Sequence, residues 1–223
     1  MTEASAGAAL VRAEPLPLAV LASGSGSNLQ AILDACAHGR LPARVCLVLA
    51  DRPGCLALER AGRAGVPTRL LRPRDRAGRA AFDRGVAEAC LAAGARLVVL
   101  AGFMRLLGPA FLEVWQGRCL NVHPSLLPAF PGLDAPAQAL AYGARVSGCT
   151  VHFVDAGTDS GPIVLQEAVA VRAEDTPQTL HRRIQALEWR LLPEAIALFA
   201  AGRLCLEGRR VRILEGAETC PGH

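Results

Sequence analysis

The feature that most constrains this chain is a repeat of short apolar runs, each followed by a helix-forming stretch that a glycine stops. Residues 16–22, 43–50, 66–71, 96–101 and 118–122 read as strands. They lack the apolar–polar alternation of a half-exposed strand, so both of their faces are expected to be buried. Residues 28–38, 53–64 and 79–93 read as helices, stopped by Gly39, Gly65 and Gly94 where a left-handed cap is wanted. Buried strands joined by helices require a parallel sheet with right-handed crossovers. The expected fold class is α/β: a doubly wound, mostly parallel Rossmann-like sheet.

After residue 146 the pattern changes. SGCTVHFVD and GPIVLQEAVAV are both strand-like and are separated by the polar turn AGTDS, which predicts a hairpin or an antiparallel addition at the sheet edge. Residues 176–200 predict a long helix interrupted at Pro193, and RLCLEGRRVRIL a closing pair of short strands. With no repeat and no long linker, a single domain over 16–215 is expected. Residues 1–15 and the tail ETCPGH are expected to fray.

Composition narrows the function. The formal charge of +4 is the excess of 24 basic residues, all of them arginine, over 20 acidic ones. The absence of lysine excludes a Schiff-base mechanism and a Walker A loop. Six Phe, two Trp and one Tyr are poor material for stacking nucleic-acid bases, so no nucleic-acid partner is expected and a small anionic ligand suits the charge better. The eight cysteines, at 36, 46, 55, 90, 119, 149, 205 and 220, contain no C-x-x-C pair. They read as small core residues in a reducing compartment rather than as a disulfide or metal framework. The N-terminus lacks the order of a secretion signal and no run is long enough to span a bilayer, so a cytoplasmic protein without a membrane partner is expected.

Two segments carry chemistry. In LASGSGSNLQ, Gly24, Gly26, Ser27 and Asn28 lie between the first strand and the first helix, where backbone N–H groups at a helix start can face an anion. Three readings stay open: a simple helix cap by Ser27 or Asn28, a monophosphate site, and a dinucleotide site. The third glycine of a dinucleotide fingerprint is replaced by Leu29, although Asp51 could imitate the ribose-binding acid. In NVHPSLLPAFPG, Asn121 and His123 are two apart at the end of the fifth strand and so point to one face, with Pro124 keeping His123 extended. An imidazole can move a proton near neutral pH, and an amide can donate to an oxyanion. Asp159, in the turn GTDSGP, can orient or charge that histidine. His152 reads as structural and His38 as a helix C-terminal cation. The set His123, His152 and Cys149 matches no familiar metal spacing.

SGSGSNLQAIL, LAGFMRLL, NVHPSLLPAFPG and TVHFVDAGTDSGPIVLQ, in that order, resemble the phosphoribosylglycinamide formyltransferases, the folate-dependent enzymes of purine synthesis. The resemblance implies that Gly26, Ser27 and Asn28 hold the phosphate of glycinamide ribonucleotide and that Gln185 and Glu188, on one helical face, contact the same substrate. It implies that Arg79 and the stretch Met104, Arg105, Leu106 and Leu107 border the 10-formyltetrahydrofolate site, and that the loop Asp155, Ala156, Gly157, Thr158 and Asp159 encloses the pterin. It further implies that Asn121, which would also face the folate, forms the catalytic trio with His123 and Asp159. The phosphate end would then fall in residues 16–101 and the folate and catalytic end in 102–215. The co-substrate implied is 10-formyltetrahydrofolate, no metal is implied, and the protein would be a monomer or homodimer. Two positions depart from the pattern: Pro136 stands where many relatives carry histidine, and Ala129 where lysine or serine is frequent. Methionyl-tRNA formyltransferases share the S-L-L-P segment but carry an additional RNA-contacting domain, and formyltetrahydrofolate hydrolases an N-terminal regulatory domain; neither domain is expected here.

Overall fold

The computed structural model describes residues 14–216, 218 and 220. The expected N-terminal fraying falls mainly on residues 1–13, outside the described residues, as do 217, 219 and 221–223 of the tail. Seven strands, β1 (Leu16–Ala22), β2 (Ala43–Ala50), β3 (Thr68–Leu70), β4 (Leu97–Leu100), β5 (Cys119–His123), β6 (Val146–Phe153) and β7 (Ile163–Ala170), form one sheet in the order β3-β2-β1-β4-β5-β6-β7. The first five are parallel; β6 runs antiparallel to β5, and β7 to β6. This is the expected doubly wound sheet with its antiparallel addition.

Strand periodicity sorts the core into two layers. Leu18, Val20 and Ala22 of β1 pack on one face with Leu29 and Ile32 of α1 (Ser27–Ala37), Ala57 and Ala61 of α2 (Leu56–Arg63) and Leu180 and Ile184. Ala19 and Leu21 pack on the other face with Phe82 and Val86 of α3 (Arg79–Ala92) and Phe111 and Trp115 of α4 (Pro109–Trp115). Both faces of the sheet are therefore covered, which is why its strands read as unbroken apolar runs.

Several expectations need correction. The run 66–71 yields only three strand residues, all exposed, because β3 is the sheet edge and Arg69 interrupts its apolar character. Helices α4 and α5 (Ala135–Tyr142) were not predicted, although each carries proline in its first turn, a helix-start signal. Helix α6 (Pro177–Ala200) is continuous through Pro193. Buried Leu191 and Leu192 before it and Ala195 and Ile196 just after it hold both halves against the sheet, which offsets the one lost backbone bond. The closing strands β8 (Leu204–Glu207) and β9 (Arg210–Ile213) pair as expected. Cys205 of β8 is disulfide-bonded to Cys220, contrary to the reading of every cysteine as a free core residue. The chain after β9 turns back beside the hairpin, with Arg212 Nη1 3.0 Å from Glu218 Oε2, and this brings Cys220 to Cys205. The remaining six cysteines are free and five are buried.

The start of α6 is fixed by a reciprocal cap: the Thr176 side chain accepts from the Thr179 N–H at 3.2 Å, and the Thr179 hydroxyl accepts from the Thr176 N–H at 2.9 Å. Thr176→Ala is expected to cost about 1 kcal/mol, read as a lower urea midpoint with unchanged slope.

Candidate active site

Sheet order reverses between β1 and β4, and the crevice at such a switch is where doubly wound sheets bind ligands. A cavity of about 710 Å³ opens there. Its walls are the turn Gly24–Asn28 after β1, residues 100–107 around the end of β4, residues 121–124 at the end of β5, the segments 132–137 and 154–159, and one stripe of α6.

The turn is not an ordinary helix cap. Gly26 occupies the cap position with φ 70°, and no side chain among the described residues caps the helix. Asn28 Nδ2 instead donates to Glu188 Oε2 at 2.8 Å, and Gln185 Nε2 donates to the Ser27 hydroxyl at 3.1 Å. The capping explanation of Ser27 and Asn28 is thereby overturned. Burial pushes the Glu188 carboxyl up, against the Asn28 bond. Asn28 Oδ1 is buried without a partner among the described residues. His181 joins Gln185 and Glu188 on the cavity side of α6 at four- and three-residue spacing; the sequence reading named only the last two, although the spacing was there to be read.

Asp51 does not face a nucleotide. Its Oδ2 takes Arg105 Nε at 2.6 Å and its Oδ1 lies 3.5 Å from Arg52 Nε, so the carboxylate is committed to ion pairs. This removes the acid that a dinucleotide would need. The pair holds the segment after β4 in place together with the Met104 N–H, which donates to the Ser23 hydroxyl at 3.0 Å.

Asn121, His123 and Asp159 come together. Asn121 Nδ2 is 3.3 Å from Asp159 Oδ1, and His123 Nδ1 is 3.3 Å from Asp159 Oδ2. The Gly132 N–H also donates to Asp159 Oδ2 at 2.8 Å. Asp159 itself has φ 49°, a left-handed conformation that aspartate tolerates better than most residues. His152 was underrated: its Nε2 lies 3.1 Å from Asn121 Nδ2 and 3.8 Å from Asp159 Oδ1. The pairing of Asn121 with His152 across β5 and β6 puts them side by side. Behind them Thr150 accepts from the Leu127 N–H at 3.1 Å and donates to the Ser125 carbonyl at 2.7 Å, pinning the segment after His123. A buried threonine beside TVHFVD is a weak signal, and the sequence reading passed over it.

Asp159 does act to raise the His123 pKa, as expected, but the net shift of the ring is downward. Burial lowers the ring below its ordinary 6.5; the Phe130 carbonyl, 2.8 Å from Nε2, and the Asp159 carboxylate work the other way without overcoming it. For Asp159, burial works upward, but the His152 ring, the Gly132 N–H and the charge of His123 bring its carboxyl below 3.8. The signs agree for stability. A depressed histidine contributes stability that is complete above pH 6.5 and lost as pH falls through its folded value; Asp159 does the same from 3.8 downward. Acid unfolding is therefore expected to begin below pH 6.5, with His123→Gln removing the upper part of the loss in urea midpoints measured across pH.

Two residues fall outside this cavity. Arg79 lines a separate hollow of about 500 Å³ with Pro73, Gly78, Phe82 and Asp83, joined to the main cavity only through the shared Met104, Arg105 and Leu106. Its Nη2 donates to the Leu106 carbonyl at 3.2 Å. Ala156 does not line the cavity, although Asp155, Gly157 and Thr158 do. Pro136 lines it as a first-turn residue of α5 and offers no group for proton transfer. Among the described residues no group of three or more His, Cys, Asp or Glu could hold a metal ion, and no helix is long and apolar enough to cross a membrane.

The family model described as formyl transferase matches residues 16–196. The chain belongs to the formyl transferase family. It is similar to the phosphoribosylglycinamide formyltransferase of Mycobacterium tuberculosis, with 51% identity over 205 residues that cover 89% of this chain and 94% of that one. The crystal structure of glycinamide ribonucleotide transformylase 1 from Symbiobacterium toebii matches this formyl transferase with a TM-score of 0.91 and 55% identity, covering 95% of this chain and 100% of that one. A formyltetrahydrofolate deformylase from Burkholderia mallei matches with a TM-score of 0.81 and 28% identity over 92% of this chain and 72% of its own. One formyl transferase fold thus accompanies two activities among these relatives, a transfer and a deformylation.

Proposed function

We propose that the protein transfers the formyl group of 10-formyltetrahydrofolate to the amine of glycinamide ribonucleotide, a step of de novo purine synthesis. The observation that carries this reading is the convergence of Asn121, His123 and Asp159 on the cavity that the Gly24–Asn28 turn also lines.

The phosphate of the ribonucleotide sits at the turn, on the N–H groups that precede α1, with the Ser27 hydroxyl and Asn28 beside it. Gln185, Glu188 and His181 face the rest of that substrate, so α6 returns to the phosphate end that residues 16–101 otherwise supply. Met104, Arg105, Leu106 and Leu107 border the folate, and 155–159 close over its pterin. Arg79 reaches only the outer part of the folate through the adjoining hollow. Holding both substrates in one cavity sets amine against formyl carbon, and such orientation can remove up to about 7–11 kcal/mol of a barrier.

In the transfer a C–N bond forms to the glycinamide amine and the bond from the formyl carbon to the folate nitrogen breaks. The amine gives up a proton and the folate nitrogen gains one. Both His123 nitrogens face acceptors, the Phe130 carbonyl and Asp159, so the charged ring is the form that satisfies both contacts. A neutral ring before reaction takes up a proton as the amine attacks, stabilises the oxyanion by its charge, and passes that proton to the folate nitrogen as the bond from the formyl carbon breaks, which returns the ring to its neutral form. Asn121 is not a free donor: its amide N–H groups already face Asp159 and His152. The longer contact, to Asp159, is the one the substrate oxygen displaces.

The test is an absorbance assay with protein, ribonucleotide and formyl folate, omitting each in turn. Signal only in the complete mixture supports the reading. Signal without the ribonucleotide assigns a hydrolase instead, and no signal in the complete mixture removes the proposal.

A further inference from the structure

The turn that precedes α1 is held from behind by a helix that stays out of the cavity. Three consecutive carbonyls are tied down. The Gly24 oxygen accepts from the Ala57 N–H at 3.3 Å and from the Cys55 thiol at 3.1 Å. The Ser25 oxygen accepts from Arg60 Nε at 2.9 Å, and the Gly26 oxygen from the Gln30 N–H at 2.9 Å. In a planar trans peptide the carbonyl and the following N–H point in opposite directions. Drawing these oxygens back therefore turns the N–H groups of Ser25, Gly26 and Ser27 the other way, and none of the three has a protein acceptor among the described residues.

The middle peptide is the exposed link. The outer two oxygens are held by backbone donors, whereas the Ser25 oxygen is held by a side chain alone. Arg60 is half-buried on α2, and its Nη1 also donates to Gln30 Oε1 on α1 at 3.1 Å, so one guanidinium bridges the turn and the helix that follows it. Arg60 does not line the cavity.

We infer that Arg60 is a positioning residue for phosphate recognition: it fixes the Ser25–Gly26 peptide so that the Gly26 N–H faces the cavity, and it sets affinity for a phosphate monoester without touching it. This rests on the reading of the turn as a phosphate site. Without the guanidinium the peptide is free to rotate and present its carbonyl, an acceptor, to the anion. Only the ribonucleotide side of the reaction depends on it, because the folate is bordered by other segments.

The experiment compares wild type, Arg60→Ala and Arg60→Gln for inhibition by inorganic phosphate, KM of each substrate, kcat and Tm. For Arg60→Ala, KM for the ribonucleotide and Ki for phosphate are expected to rise about tenfold or more, the loss typical of a hydrogen bond to a charged group. Folate KM, kcat and Tm stay near wild type. Arg60→Gln keeps a neutral N–H donor and recovers most of the loss. Wild-type activity insensitive to phosphate overturns the phosphate reading itself. Wild-type sensitivity that Arg60→Ala leaves unchanged overturns the inference alone. Equal loss in both variants overturns it in favour of a charge effect, and a parallel loss in Tm and in both KM values overturns it in favour of a general structural role.

Discussion

Replacing Asp159 with asparagine is expected to lower kcat by about two to three orders of magnitude, the usual loss when one preorganised electrostatic group at a reacting centre is removed. Both carboxylate oxygens have donors beside them: Oδ1 accepts from Asn121 Nδ2, and Oδ2 takes the Gly132 N–H and faces His123 Nδ1. An amide of the same shape must put an NH₂ group where one of these acceptors stood. It then opposes a donor, and it removes the negative charge that makes a charged His123 tolerable in a buried position. In the proposed reading the ribonucleotide phosphate binds at the Gly24–Asn28 turn rather than at Asp159, so its KM should move by only a few-fold. Steady-state kinetics with both substrates varied reads this split. A kcat near wild type would remove Asp159 from the chemistry.

The second large effect is structural in origin. Gly26→Ala would set a Cβ 2.7 Å from the Ala57 Cα and 2.8 Å from its Cβ, at a residue whose φ is 70°. The nearest obstacle is the backbone of α2, which cannot swing aside as the tip of a long side chain can. A left-handed alanine costs about 1–2 kcal/mol, and overpacking of this kind typically about 1–3 more. The sum is a large share of a domain's stability, so the variant is expected to show a clearly lower urea midpoint. The protein that does fold should bind phosphate poorly, because the turn can relieve the clash only by moving away from α2. Unchanged stability together with unchanged ribonucleotide KM would mean that the close packing of α2 on this turn is not what shapes it.

How much of this was legible in the sequence follows from what each residue needs. The parallel core was, because strands covered on both faces cannot alternate: LPLAVLA and ARVCLVLA show that burial directly, and β1 and β2 begin and end where the apolar runs do. The pairing of Asn121 with His123 was, because a two-residue spacing on a strand fixes a common face. The short edge strand was not, since an apolar run does not say which strand has a neighbour on only one side. The role of His152 was hidden for the same reason: it sits in a separate strand, and only the antiparallel register of β5 and β6 sets it opposite Asn121. The disulfide depended on the path of the chain after β9, which no local pattern reports. The depressed His123 was missed because the sequence showed its carboxylate partner but not the extent of its burial. Arg79 carried the right charge for its expected part, yet it opens onto a neighbouring hollow.

Helix α6 has a wider consequence. Its Gln185 and Glu188 hold Ser27 and Asn28 across separations of 158 and 160 residues, and its Leu180 and Ile184 pack on the same core layer as β1. The turn after β1 therefore acquires its finished form only once α6, far later in the chain, has docked. A nascent or truncated polypeptide ending ahead of residue 177 would display the glycine turn with neither of those partners. The form of this turn consequently reports whether α6 is in place.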